Sequence, residues 1–119
     1  WAQRMGDVGK DAILGIAADA SGAHLAVAGT FQAPATVGGQ SFPGASLEGF
    51  VLAFRSTGAA RWLVRASSTQ VDLLTAIAPT TSGFVVAGLS DGTVRVGEGR
   101  DAQTSPSVSA DGILFDVGW

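Results

Sequence analysis

Asp11–Phe31, DAILGIAADASGAHLAVAGTF, is the stretch from which the rest of the chain can be read. It divides into two short apolar runs, AILGIAA over 12–18 and HLAVAGT over 24–30, joined by the tight-turn sequence Asp19-Ala20-Ser21-Gly22. A second version, DLLTAIAPTTSGFVVAGLS, runs from Asp72 to Ser90. Trp1 and Trp62, Arg4 and Arg65, Asp11 and Asp72, Ile16 and Ile77, and Ser21-Gly22 and Ser82-Gly83 all stand 61 residues apart. Val27-Ala28-Gly29 and Val86-Ala87-Gly88 are 59 apart, and Gly49 and Gly112 are 63 apart. Five matches at one offset, then small compensating changes in turns and loops, mark an internal repeat.

Each copy spells short strands and no helix-period segment. The run 12–18 lacks a clean polar–apolar alternation, which predicts a central strand covered on both faces. The next strand is expected over 23–30. A long connection, Phe31 to Glu48, carries Pro34, Pro43 and Gly38-Gly39, with a brief extended piece around Thr36 and Val37. GFVLAFR over 49–55 is apolar on both faces, and a turn at 56–59 leads into a strand over 60–66 containing Trp62. The second pass predicts strands over 72–78, 84–89 and 112–117, with an extra one at 93–96 inside the loop from Ser90 to Asp111. Trp1–Met5 reads as a lone strand matching the one that holds Trp62.

Composition limits the functions. Hydrophobic residues make up 46% of the 119 and charged ones 14%, so the chain is expected to fold or assemble. The net charge is −3 and Lys10 is the one lysine, which argues against nucleic acid and anionic membranes as partners, since both need clustered cations. No apolar run reaches the roughly 18 residues of a membrane-spanning helix. With no cysteine there are no disulfides or thiolate metal sites. The first residue is Trp1 and no leader-like segment is visible, so a fragment or processed product is expected.

Four short strands per roughly 60 residues suit a β-propeller blade. Trp1, Arg4, Asp11, Ile16-Ala17, Ser21-Gly22, Val27-Ala28-Gly29, Gly38-Gly39, the run Gly49-Phe50-Val51 with Phe54, and Gly58 ahead of Trp62 together resemble the bacterial seven-bladed β-propeller repeat family. The likeness covers nearly all of the first unit and fades in the second. There Pro79-Thr80-Thr81 replaces Ala18-Asp19-Ala20, and Gly97-Glu98-Gly99 separates the glycine pair. The resemblance implies an all-β chain of about two four-stranded antiparallel blades, an incomplete ring, in units of approximately 1–61 and 62–119. It also implies a larger exported or cell-surface protein. The blades would be an orphan outer strand at Trp1–Met5, a complete blade over 12–66 and three strands of another over 72–117. Two blades cannot close a ring of four or more. The expected partners are therefore further blades of the same parent chain, or copies of the chain in a ring where Trp1–Met5 completes another copy's second blade.

No catalytic, metal or cofactor signature stands out. His24, the one histidine, reads as a turn residue without triad or metal partners. Asp19-Ala20-Ser21-Gly22 lacks the ligand alternation of a calcium loop, and Gly6–Asp11 has neither the glycine spacing nor the hydroxyl of a phosphate loop. Asp11 and Asp72, each just before a first strand, are expected to accept backbone N–H groups, a metal or ligand role being the alternative. Trp1 and Trp62 read as packing residues with Arg4 and Arg65 facing solvent, or else as a stacking platform for sugar. For a ligand, protein or glycan, the residues to test are Gln32, Gln40, Phe42, Glu48, Asp91, Arg95, Glu98 and Arg100 in the two long loops. The expected function is a non-enzymatic scaffold or binding module. The alternatives are a fragment of a hydrolase or lyase with its site at the ring axis, and a carbohydrate-binding propeller. The last should repeat aromatic residues in both loops, yet Phe31 and Phe42 have no aromatic counterparts between 90 and 111.

Overall fold

The computed structural model describes residues 1–96, 103–105 and 110–118. These residues are all-β, with no helix and hence none long and apolar enough to cross a membrane. The strands are β1 (Ala12–Ala18), β2 (His24–Gln32), β3 (Ala35–Val37), β4 (Gln40–Phe42), β5 (Leu47–Arg55), β6 (Ala60–Ser67), β7 (Asp72–Pro79), β8 (Gly83–Asp91), β9 (Val94–Val96), β10 (Gln103–Ser105) and β11 (Ala110–Gly118). A large antiparallel sheet runs in the order β1-β2-β5-β6-β9-β10, a second runs β11-β8-β7, and β3 and β4 form a hairpin. The described sheets are open and do not close into a ring.

The repeat is written into the hydrogen-bond ladders. All nine β2–β5 pairs, from His24↔Arg55 to Gln32↔Leu47, recur as β8–β11 pairs from Gly83↔Gly118 to Asp91↔Ala110, at offsets of 59 and 63. The β1–β2 register recurs in β7–β8, including a bulge between Ile13 and Gly15 that returns between Leu74 and Ala76. That bulge explains the shared Val-Ala-Gly motif. The bulged strand drives the carbonyl of Ala12 into the space a Cβ on Gly29 would need, and the carbonyl of Leu73 does the same at Gly88.

The large sheet has two unlike faces. Its alanine face, with Ala17, Ala26, Ala28, Val51 and Ala53, packs against Leu74, Phe84 and Val86 of the second sheet, with Ile77, Ile113, Phe115 and Val117 alongside. Small residues admit large ones. The closest approach is at Gly49, where an added Cβ would lie 2.8 Å from Leu74 Cγ, and at Gly15, where it would lie 3.1 Å from Ile77 Cγ2. Burying each such aliphatic side chain stabilises by about 1.5–3 kcal/mol. Its phenylalanine face, with Val27, Phe31, Phe50, Leu52 and Phe54, is covered by the β3–β4 hairpin through Val37 and Phe42 and by Met5. Gly38 and Gly39 at φ +58 and +81° supply the left-handed pair that a two-residue hairpin turn requires.

Two expectations are corrected. β1 is an edge strand with Ile13, Leu14 and Ile16 exposed, not a strand covered on both faces; Gly15 and Ala17 meet the second sheet, whereas Ile13 and Ile16 lie on the other face, which is not covered there. Trp1–Met5 forms no strand, contrary to the expectation of a lone strand there. It is nonetheless held in place. Trp1 Nε1 donates to the Ser56 carbonyl at 3.0 Å, the Trp1 ring lies 5.6 Å from that of Phe54, and Gln3 Nε2 donates to the Gly58 carbonyl at 2.6 Å. Gly6 N donates to the Thr36 carbonyl at 3.1 Å. That contact is the counterpart of the β6–β9 bridge Ser67↔Arg95, at the same offsets of 61 and 59. The segment thus stands to β3 as β6 stands to β9.

Candidate functional site

The long connection after β2 folds back over the sheet, and this brings Phe42, Glu48 and Arg65 together. Phe42 is buried with its ring 5.1 Å from that of Phe31. Glu48, 5% exposed, lies 3.1 Å through Oε2 from Nη1 of Arg65, and its Oε1 accepts from Ser46 Oγ at 3.0 Å. The Arg65 guanidinium stands 5.2 Å over the Phe42 ring. The side chain of Arg65 is 25% exposed, so it does not face solvent as the sequence suggested. Strand alternation offers the signal: Arg65 shares the side of Leu63, opposite to Trp62, and is registered against Phe50. The arrangement neutralises a buried carboxylate and fastens β6 to the hairpin.

The remaining loop residues are dispersed. Gln32, half-buried at the end of β2, donates its backbone N–H to Asp11 Oδ1 at 3.2 Å and accepts from Lys10 N at 3.3 Å through Oε1. Gln40 is exposed at the start of β4, and Arg95 is exposed in β9. Asp91 ends β8; its carbonyl accepts from Ser68 Oγ at 2.8 Å and its N–H donates to the Val71 carbonyl at 3.0 Å. Glu98 and Arg100 lie outside the described residues.

Asp11 and Asp72 do equivalent work. Asp11 Oδ2 accepts from Asp7 N at 3.0 Å and Asp72 Oδ2 from Ser68 N at 2.6 Å, donors that are themselves 61 apart. The second oxygen reaches the end of the neighbouring strand: Asp11 Oδ1 meets Gln32 N, and Asp72 Oδ1 meets Ser90 Oγ at 2.6 Å. Each carboxylate therefore closes the loop that enters its sheet. Asp72 is wholly buried whereas Asp11 is half-buried. Asp72 also joins the two sheets, because its carbonyl accepts from Thr30 Oγ1 at 3.2 Å.

At the opposite end of the large sheet, Asp19-Ala20-Ser21-Gly22 is a hairpin turn. Asp19 N donates to the His24 carbonyl at 3.0 Å, and Asp19 Oδ1 accepts from His24 N at 3.1 Å. The Ser21 hydroxyl, 2.5 Å from Oδ2, and then the His24 N–H hold the Asp19 carboxyl below the usual carboxylate range. Beside it His24, Arg55 and Arg61 rim a shallow depression of about 400 Å³. A recess of about 230 Å³ lies at the phenylalanine face between Met5, Asp11, Ile13, Phe31 and Phe50. Another of about 390 Å³ runs along β11 beside Val94 and Val96. Among the described residues no three His, Cys, Asp or Glu side chains are grouped so as to hold a metal ion. No protein-family model, curated protein or solved structure compared with the chain matches it.

Proposed function

We infer that the chain is a non-enzymatic β-propeller segment, with units of about 1–61 and 62–119. Its sheets scaffold further units of the same kind, and its inter-strand loops are available for binding. What supports this reading is one observation: the two units stack front to back. The alanine face of the first meets the face of the second that is equivalent to the phenylalanine face, in the same ladder register. Such stacking does not end with two members. The second sheet still presents the counterpart of the alanine face, with Leu89 and Leu114 at 50% and 74% exposure, and among the described residues no strand pairs with the outer edge of β11.

The neighbours come from a longer exported or cell-surface chain, as the family resemblance suggests, or from copies of the chain in a ring. In a ring, Trp1–Met5 of one copy lies along β11 of another and completes its sheet, in the place β6 takes beside β5. The test is the mass of the purified chain by light scattering across a concentration series, with circular dichroism to report folding. Association to a defined size is expected. A well-folded monomer at every concentration would overturn the reading.

A further inference from the structure

We propose that a second copy of this chain docks on the open face of the second sheet, with Ile13 of the incoming copy seated over Gly112 and its Ile16 over Ala76. The proposal rests on the stacked-repeat reading and names the contact that makes it specific. Inside the chain the two sheets are keyed by side chains that fill glycine sites. Leu74 lies over Gly49, closer than a Cβ there would allow, and Ile77 lies over Gly15, where a Cβ would be a tight fit. The ladder offsets give the counterpart of each partner. Leu74 corresponds to Ile13 and Ile77 to Ile16, and these two are 52% and 66% exposed. Gly49 corresponds to Gly112 and Gly15 to Ala76. A Cβ added at Gly112 would meet nothing within 4 Å. One chain therefore carries an unoccupied glycine site on its last sheet and an unburied isoleucine on its first.

The recess beside Ile13 fits the same account. Met5, Ile13, Phe31, Val37 and Phe50 line it together with Asp11 and Thr30, and its counterpart in the second unit is the place where Leu74 lies over Gly49. It is accordingly the seat of another sheet, not of a small molecule. The two faces are different surfaces of one molecule, so the contact is head-to-tail. That geometry excludes a face-to-face dimer as its product and makes the incoming copy the complementary occupant.

The test uses the intact chain and three variants, with self-association followed by sedimentation velocity and folding by thermal unfolding. Gly112→Leu fills the site on a surface that is open in the single chain. It is expected to leave unfolding unchanged or slightly higher while weakening association at least tenfold, the scale of one aliphatic burial. Ile13→Ala should weaken association to a similar degree. The double variant Ile13→Ala with Gly112→Leu exchanges the large and small partners and is expected to recover most of the loss. An associating wild type that Gly112→Leu leaves unaffected overturns the seating, while the stacked-repeat reading stands. A wild type that stays a folded monomer overturns both.

Discussion

Replacing the two equivalent aspartates should separate what the repeat shares from what burial adds. In Asp72→Ala, the Ser90 hydroxyl, at a residue 2% exposed, and the part-buried Ser68 N–H lose their acceptor together. Two stranded donors at about 1–3 kcal/mol each cost about 2–6 kcal/mol. Removing a buried carboxylate offsets part of that, leaving about 3 kcal/mol. In Asp11→Ala two donors also lose their acceptor, but the Asp7 N–H is exposed and the Gln32 N–H only part-buried, so water can replace the carboxylate and the expected loss is about 1 kcal/mol or less. Urea unfolding at one fixed protein concentration reads the difference. With a slope near 2 kcal/mol per molar, typical of a domain of this size, Asp72→Ala should lower the midpoint by about 1.5 M and Asp11→Ala by under about 0.5 M. Asp72→Asn should fall between Asp72→Ala and the wild type, since its amide oxygen can serve one of the two donors. Equal losses for Asp11→Ala and Asp72→Ala would refute the reasoning. So would a wild-type midpoint that rises with a divalent cation and loses that response in Asp72→Ala.

Arg65→Met strands the Glu48 carboxylate against the phenylalanine face and should cost about 3 kcal/mol in urea unfolding, whereas Glu48→Gln in the same chain should return much of it. Gly88→Ala drives a methyl into the Leu73 carbonyl at the bulge and should lower thermal stability by more than about 2 kcal/mol; a neutral result would contradict the bulge. Because the folded-state pKa of Asp19 lies below its unfolded value, the stability its carboxylate supplies is present above the unfolded pKa and lost as pH falls through the folded one. Ser21→Ala should move its NMR titration midpoint upward. Asp116 occupies the position equivalent to Ala53, which is buried between the sheets, so Asp116→Ala should tighten self-association in sedimentation experiments.

Much of this architecture is legible in the sequence because it is periodic. Identities 61 apart already align Asp11 with Asp72, and the two turn out to bind loop N–H groups that are also 61 apart. Strand positions follow from apolar runs bounded by glycine and proline, and 93–96 was legible as an extra strand for the same reason. The bulge was not, since nothing in AILGIAA or DLLTAIA announces which residue leaves the ladder. Ile13 and Ile16 illustrate a second gap: an apolar run states that a strand needs cover, not that the cover is present, and β1 lies at an edge. Arg65 illustrates a third. Its partner Glu48 is 17 residues earlier, on the neighbouring strand, and only the β5–β6 register brings the ion pair onto one face. Of the loop residues, Phe42 and Glu48 resolve into a packed cluster, while Gln40 and Arg95 are exposed.

The central claim is that copies stack front to back as the two units do within the chain. The sequence has no cysteine, so introduced thiols can report that contact directly. Two single variants, Ile16→Cys and Ala76→Cys, would be mixed under oxidising conditions and the dimers identified by mass after proteolysis. Ile77 Cγ2 stands 3.1 Å from the position of a Cβ on Gly15, so the equivalent pair in a stacked assembly is within disulfide reach. The account predicts cross-links that join one variant to the other. Cross-links only between identical variants, or none while the protein remains folded, would contradict it.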